Sequence, residues 1–139
     1  MKLPTVYVGM CADILHRGHI NILNEAIKYG SVIVGLLSDE AIKSYKQSPL
    51  MCYEDRYKIL ISLRQVDKVV KQKTLDYSFN LQLLKPDYVL HGDDWRIGPQ
   101  EKTRQAVVTL LEKWGGQLIE VPYTKGISST LLKSTGDFV

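Results

Sequence analysis

Two of the three histidines in this 139-residue chain, His16 and His19, stand three residues apart with Gly18 just before the second. Upstream runs Thr5-Val6-Tyr7-Val8-Gly9-Met10, apolar enough for a buried strand. Downstream Ile20, Leu23, Ala26 and Ile27 recur at helical spacing. The pair therefore falls where a strand gives way to a helix, whose N-terminus supplies unpaired N–H groups and partial positive charge that favour a phosphate. Two imidazoles add hydrogen-bond donors for phosphoryl oxygens, and Gly18 lets the backbone approach a ligand. Such an arrangement suits a triphosphate whose α-phosphorus is attacked. Ordinary loop histidines are the alternative, but two of three in one four-residue turn favour the functional assignment.

A second candidate anion site lies near the other end of the chain. Ser128, Ser129 and Thr130 follow Gly126 and Ile127 and open a short helix, Leu131-Leu132-Lys133. Their hydroxyls and N–H groups would hold the β- and γ-phosphates of a leaving pyrophosphate. A plain N-cap is the alternative, and it needs one hydroxyl rather than three. Asp13, three residues before His16, reads either as a group that orients its loop or a metal-bound water, or as a turn residue. His91, at a strand end, reads as core-facing, and Arg56 as half of a structural ion pair.

The elements that must position these residues alternate regularly. Strands are expected at Thr5–Met10, Ser31–Leu37, Asp67–Val70, Asp87–His91 and Gln117–Val121, and helices at Gly18–Tyr29, Tyr53–Leu63, Tyr77–Leu84 and Lys102–Trp114. Strands that are apolar throughout and separated by helices imply an α/β domain, a doubly wound five-stranded parallel sheet with helices on both faces. Ligands bind such Rossmann-like sheets beyond the carboxyl ends of the strands, where strand order reverses. The loops Cys11–His19, Gly92–Arg96 and Thr124–Thr130 should therefore meet in space.

Composition fits this assignment. With 45% apolar residues, the chain is expected to form one domain over 1–139, folded but for a few residues at each end. Lys and Arg total 18 against 15 Asp and Glu, a net charge of +3 that is too even to indicate a nucleic-acid or membrane-surface protein. It suits an enzyme of anionic metabolites. No apolar run has the length of a membrane span or signal peptide, so a cytoplasmic address is expected. Cys11 and Cys52 have no partner at metal-ligand spacing and read as free thiols.

The segment Asp13-Ile14-Leu15-His16-Arg17-Gly18-His19 resembles the His-x-Gly-His signature of the nucleotidyltransferase and cytidylyltransferase superfamily, and Gly126-Ile127-Ser128-Ser129-Thr130 its second signature. Tyr53-Glu54-Asp55-Arg56, Val66-Asp67-Lys68-Val69 and Gly92-Asp93-Asp94-Trp95 stand between them in the expected order. The chain is similar to glycerol-3-phosphate cytidylyltransferases, and closer still to the domains found with, or fused to, phosphoenolpyruvate mutase in phosphonate biosynthesis. The chain's last residues, Gly136-Asp137-Phe138-Val139, follow the final motif as in a domain excised from such a fusion.

The resemblance implies CTP with Mg²⁺ or another divalent cation, a small anionic acceptor and a homodimer. It implies nucleotide contacts at Met10, Cys11, Asp13, Gly18 and the 126–130 motif. Lys46 would neutralise phosphate charge and Arg64 would help at the acceptor. Asp93, Asp94 and Trp95 would recognise the base, with carboxylate and carbonyl groups accepting from the N4 amino group of cytosine, unless they merely stabilise their turn. Two departures bear on the acceptor: Met10-Cys11-Ala12-Asp13 replaces Gly-Thr-Phe-Asp, and Tyr123 replaces an arginine. Losing that guanidinium disfavours glycerol 3-phosphate. A phosphonate such as 2-hydroxyethylphosphonate or 2-aminoethylphosphonate is the expected acceptor. Rival expectations are an adenylyltransferase or a phosphoethanolamine enzyme of the same fold, and a nucleotide-binding module without turnover.

Overall fold

The computed structural model describes residues 3–134; the final residues Gly136 to Val139 lie outside them. Five strands, β1 (Thr5–Met10), β2 (Ser31–Leu37), β3 (Lys68–Gln72), β4 (Tyr88–Gly92) and β5 (Gln117–Val121), form one sheet in the order β3-β2-β1-β4-β5. Every pairing is parallel. Strand order reverses between β1 and β4, so the crevice expected of a doubly wound sheet opens at their carboxyl ends.

The helices are α1 (Arg17–Ala26), α2 (Asp39–Lys43), α3 (Tyr53–Ile61), α4 (Ser78–Leu84), α5 (Glu101–Leu111) and α6 (Ser129–Ser134). They cover both faces because β1 alternates. Val6, Val8 and Met10 pack with Leu23 and Ala26 of α1 and Leu60 of α3. Tyr7 points the other way, to Leu81 of α4 and Val107, Leu110 and Leu111 of α5. None of the described helices is long and apolar enough to cross a membrane.

Tyr7 accounts for one difference from expectation, the extension of β3 beyond Val70 to Gln72. A buried hydroxyl needs partners. That of Tyr7 donates to Gln72 Oε1 at 2.6 Å and accepts from Asn80 Nδ2 at 3.0 Å. Across the sheet, Gly35 is required: a Cβ there would fall 1.8 Å from the Tyr7 oxygen. The unforeseen α2 begins where Ser38 accepts from the Ala41 N–H at 3.1 Å, with Asp39 and Glu40 in the first turn. Capping residue and acidic first turn were both visible in the sequence.

Candidate active site

His16 is the N-cap of α1, its backbone extended. Its Nδ1 accepts from the Gly18 N–H at 3.0 Å, while its own N–H donates to Nδ1 of His19 at 3.0 Å. This is a reciprocal capping box made from two imidazoles in place of the usual Ser and Glu. Glycine is needed at 18 because a Cβ would stand 2.8 Å from Cε1 of the His16 ring. The cap also sets the chemistry. Each Nδ1 is used as an acceptor, so the neutral ring carries its proton on Nε2, and both Nε2–H groups remain to donate. The ring centroids are 4.1 Å apart.

Burial holds both imidazoles neutral. It pushes His19 down to about 4, helped by the charges of His16 and Lys46, and it lowers His16, helped by Arg17. The Lys46 ammonium stands 5.2 Å from the centroid of the Tyr45 ring, which lines the larger of two cavities beside β1. A stability consequence follows. Between pH 6.5 and 4 the unfolded chain binds a proton at residue 19 that the folded chain refuses, so stability should fall as pH drops through that window. The loss should approach about 3 kcal/mol at its lower end. Urea unfolding of wild type and His19→Asn across pH 4–7 checks this: the variant should lack this component of the slope.

Two cavities flank the carboxyl end of β1. One, of about 160 Å³, is lined by His16, Gly18, His19, Gly92, Tyr123 and Ile127 among others. The other, of about 530 Å³, includes Cys11, Tyr45, Gln72, Tyr77, Gln100 and Thr103. They share Gly9, Met10, His91 and Asp94 along their common border. The loops after β1, β4 and β5 thus meet as the topology requires, and a group held by the histidines would face a second chamber large enough for another small molecule.

Several expected site residues take their places in this arrangement. Met10, Gly18, Asp94, Tyr123 and Ile127 line the smaller cavity, and Cys11 the larger. Others are corrected. Trp95 is 1% exposed, its ring in the core and its Nε1–H donating to Glu120 at 2.9 Å, so it cannot meet a base directly. The ring of His91 lies flat on it at 3.6 Å between centroids. His91 is therefore a cavity wall rather than a core residue. Asp93 accepts from the Tyr123 N–H at 3.1 Å and ties the β4 and β5 loops together.

Asp13 is fully buried and accepts from the N–H groups of Leu50 and Met51 at 2.9 and 3.0 Å and from Lys133 Nζ at 2.6 Å. These bonds keep its carboxyl below the usual range despite burial. They also tie its loop to the segment before α3 and to α6, so Asp13 orients its loop. Ser128 caps α6 by accepting from the Leu131 N–H at 2.9 Å, and the Ser129 hydroxyl donates to the Ile14 carbonyl at 2.7 Å. Of the three hydroxyl residues, Thr130 is the exposed one. Arg64 is exposed three residues before Asp67, whose carboxylate binds Ser31 and Val32 at the amino end of β2. That is the end of the sheet opposite the crevice, so within one chain Arg64 stands apart from the site. Among the described residues no three His, Cys, Asp or Glu side chains gather as a metal site.

Sequence reasoning missed Tyr45, Tyr77 and His91 as cavity walls and Lys133 as a partner of Asp13. Only the order of strands brings them there.

Comparison with known proteins agrees with this geometry. A family model described as "Cytidylyltransferase-like" matches residues 7–135. An FAD synthase of Methanopyrus kandleri is 34% identical over 105 residues, 73% of this chain and 70% of that protein. An ethanolamine-phosphate cytidylyltransferase of Arabidopsis thaliana is 31% identical over 137 residues, 93% of this chain; the match spans 31% of that longer protein. Among solved structures, the lipopolysaccharide core biosynthesis protein of Thermoplasma volcanium shares the fold, with a TM-score of 0.73 at 23% identity over 91% of this chain and all of that one.

Proposed function

The chain belongs to the cytidylyltransferase-like family, and from that premise we propose that it transfers CMP from CTP to a small phosphonate, such as 2-aminoethylphosphonate or 2-hydroxyethylphosphonate, with release of pyrophosphate. The observation that carries the chemistry is the pair of Nε2–H donors fixed by the α1 cap in the wall of the smaller cavity, which adjoins the larger one. A phosphonate oxygen, anionic at neutral pH, attacks the α-phosphorus. The bond from that phosphorus to the bridging oxygen breaks, and the electron pair leaves with pyrophosphate. No general base is required. The work of the protein is to hold the two groups in line and to meet the growing negative charge with His16, His19, Lys46 and the positive end of the α1 dipole. Mg²⁺ enters bound to the nucleotide, as part of the substrate.

Support for a phosphonate comes from the acceptor side. Tyr123, in the wall of the smaller cavity, offers one neutral hydroxyl where glycerol-3-phosphate enzymes carry a guanidinium. The relatives carry two further readings: phosphoethanolamine as acceptor, by likeness to the Arabidopsis enzyme, and ATP as donor, since the named product of the Methanopyrus enzyme contains adenine. A homodimer and a pathway link to a phosphoenolpyruvate mutase belong to the same proposal, on the strength of the resemblance.

The test is pyrophosphate release with CTP, ATP, GTP or UTP crossed with phosphonates, phosphoethanolamine, phosphocholine and glycerol 3-phosphate. CTP with a phosphonate should give the highest kcat/KM, and CTP should raise Tm more than the other nucleotides at equal concentration. Preference for ATP would move the function to adenylyl transfer. Preference for any phosphate ester over every phosphonate would refute the acceptor while leaving cytidylyl transfer standing.

A further inference from the structure

Lys133 belongs to none of the signature motifs, yet its ammonium reaches a carboxylate that is shut off from solvent. Asp13 Oδ2 accepts from Lys133 and from the Leu50 N–H, and Oδ1 accepts from the Met51 N–H. One carboxylate therefore joins three segments of chain. They are the loop that leads from β1 to His16, the loop after α2 that also carries Lys46, and α6 with Thr130 in its first turn. The attachment of α6 is notably polar. It buries none of its residues, and besides the Lys133 bond its Ser129 hydroxyl holds the Ile14 carbonyl, one residue beyond Asp13.

We propose that Lys133 is a positioning residue for nucleotide binding. By neutralising the buried Asp13 it seats α6 against the loop that ends in His16, and so holds that histidine at its place in the smaller cavity before the nucleotide arrives. The physical reason is that a buried carboxylate must keep a charged or hydrogen-bonding partner or be reached by water. Without Lys133, α6 loses a charged side-chain anchor and the Asp13 loop opens to hydration. The cost then falls on ordering the site when the ligand binds, because preorganisation raises affinity by removing that cost. Lys133 does not line the cavity, so the chemical step is spared.

The inference rests on the nucleotidyl-transfer reading, and its test is chosen to fail separately from it. In the full chain, Lys133→Met should weaken binding of Mg·CTP, measured by calorimetry with Mg·ATP alongside, by about tenfold while kcat changes by less than about threefold. Lys133→Arg should restore affinity to within about threefold, since a guanidinium can replace the ammonium at a carboxylate. Without nucleotide, amide hydrogen exchange at Leu50, Met51 and residues 129–134 should be faster in Lys133→Met than in wild type. Unchanged exchange overturns the clasp even if the enzyme proves to use another nucleotide. Faster exchange with unchanged affinity for either nucleotide makes Lys133 a structural anchor only, and a fall in kcat as large as the loss of affinity makes it a direct participant. Either result refutes a positioning role. Absence of turnover in wild type would instead strike the proposed reaction and leave the exchange and binding results to judge Lys133.

Discussion

Replacing either His16 or His19 with asparagine should lower kcat by about 10²- to 10³-fold, the usual cost of losing one donor aimed at developing charge. Asparagine is the informative choice because each imidazole has two tasks. Nδ1 accepts a backbone N–H and caps α1, while Nε2–H is left to donate. The amide oxygen of asparagine takes over the first task from nearly the same position, but its side chain is too short to perform the second. Folding and CTP affinity should therefore stay near wild type while turnover collapses.

His16→Ala removes the cap as well, so it should add a loss of about 1 kcal/mol in stability to the same fall in turnover. Steady-state kinetics and thermal unfolding of the Asn and Ala variants together separate catalysis from capping. Near-normal turnover in His16→Asn or His19→Asn would assign that histidine to the cap alone. The neutral state of both rings adds a second signature. Their Nε2–H donors need no added proton, so nucleotide affinity should not decline as pH rises from 6.5 to 8 through the ordinary histidine range.

The sheet was legible from the sequence because its central strands are apolar on both sides and the longer helices each bury one stripe, so these elements carry their own period. Strand β1 could be placed to the residue and the start of α1 to within one. What stayed hidden depended on partners distant in the chain. Trp95 is in the core because Glu120, 25 residues on, accepts its indole N–H and is itself held by Arg96 and Arg104, which drive its carboxyl down to about 2. His91 was assigned to the core because a strand-end histidine alone does not reveal that Trp95 occupies the core and leaves the imidazole stacked at the cavity. The hydroxyls of Ser128 and Ser129 read as phosphate ligands until the fold brought Ile14 and a helix N-terminus to them. Tertiary hydrogen bonds, which have no period along the sequence, account for the positions of Trp95 and of the Ser129 hydroxyl.

The same kind of bond makes Arg56 a position on which stability should depend strongly. Its side chain is fully buried, and its guanidinium donates from Nε to the Met51 carbonyl at 3.0 Å and from one terminal nitrogen to the carbonyls of Cys11 and Leu37 at 2.9 and 2.8 Å. The other terminal nitrogen pairs with Asp39 at 2.7 Å. One planar group thus joins the ends of β1 and β2 to α2 and to the turn that precedes α3. A methionine of similar length would fill the space but leave three carbonyls and a carboxylate without that donor. Arg56→Met should cost about 3–5 kcal/mol, as breaking a buried pair from one side does. That is a large part of the 5–15 kcal/mol that holds a typical domain together. Arg56→Lys should recover only part of it, because a point charge cannot reach partners arrayed around a fork. Asp39→Asn, altering the partner whose side chain is 30% exposed, should cost less than either. Urea unfolding of the three variants gives the order directly. If Arg56→Met unfolded at the wild-type midpoint with an unchanged slope, the buried guanidinium would contribute nothing net, and the crevice would owe its shape to apolar packing alone.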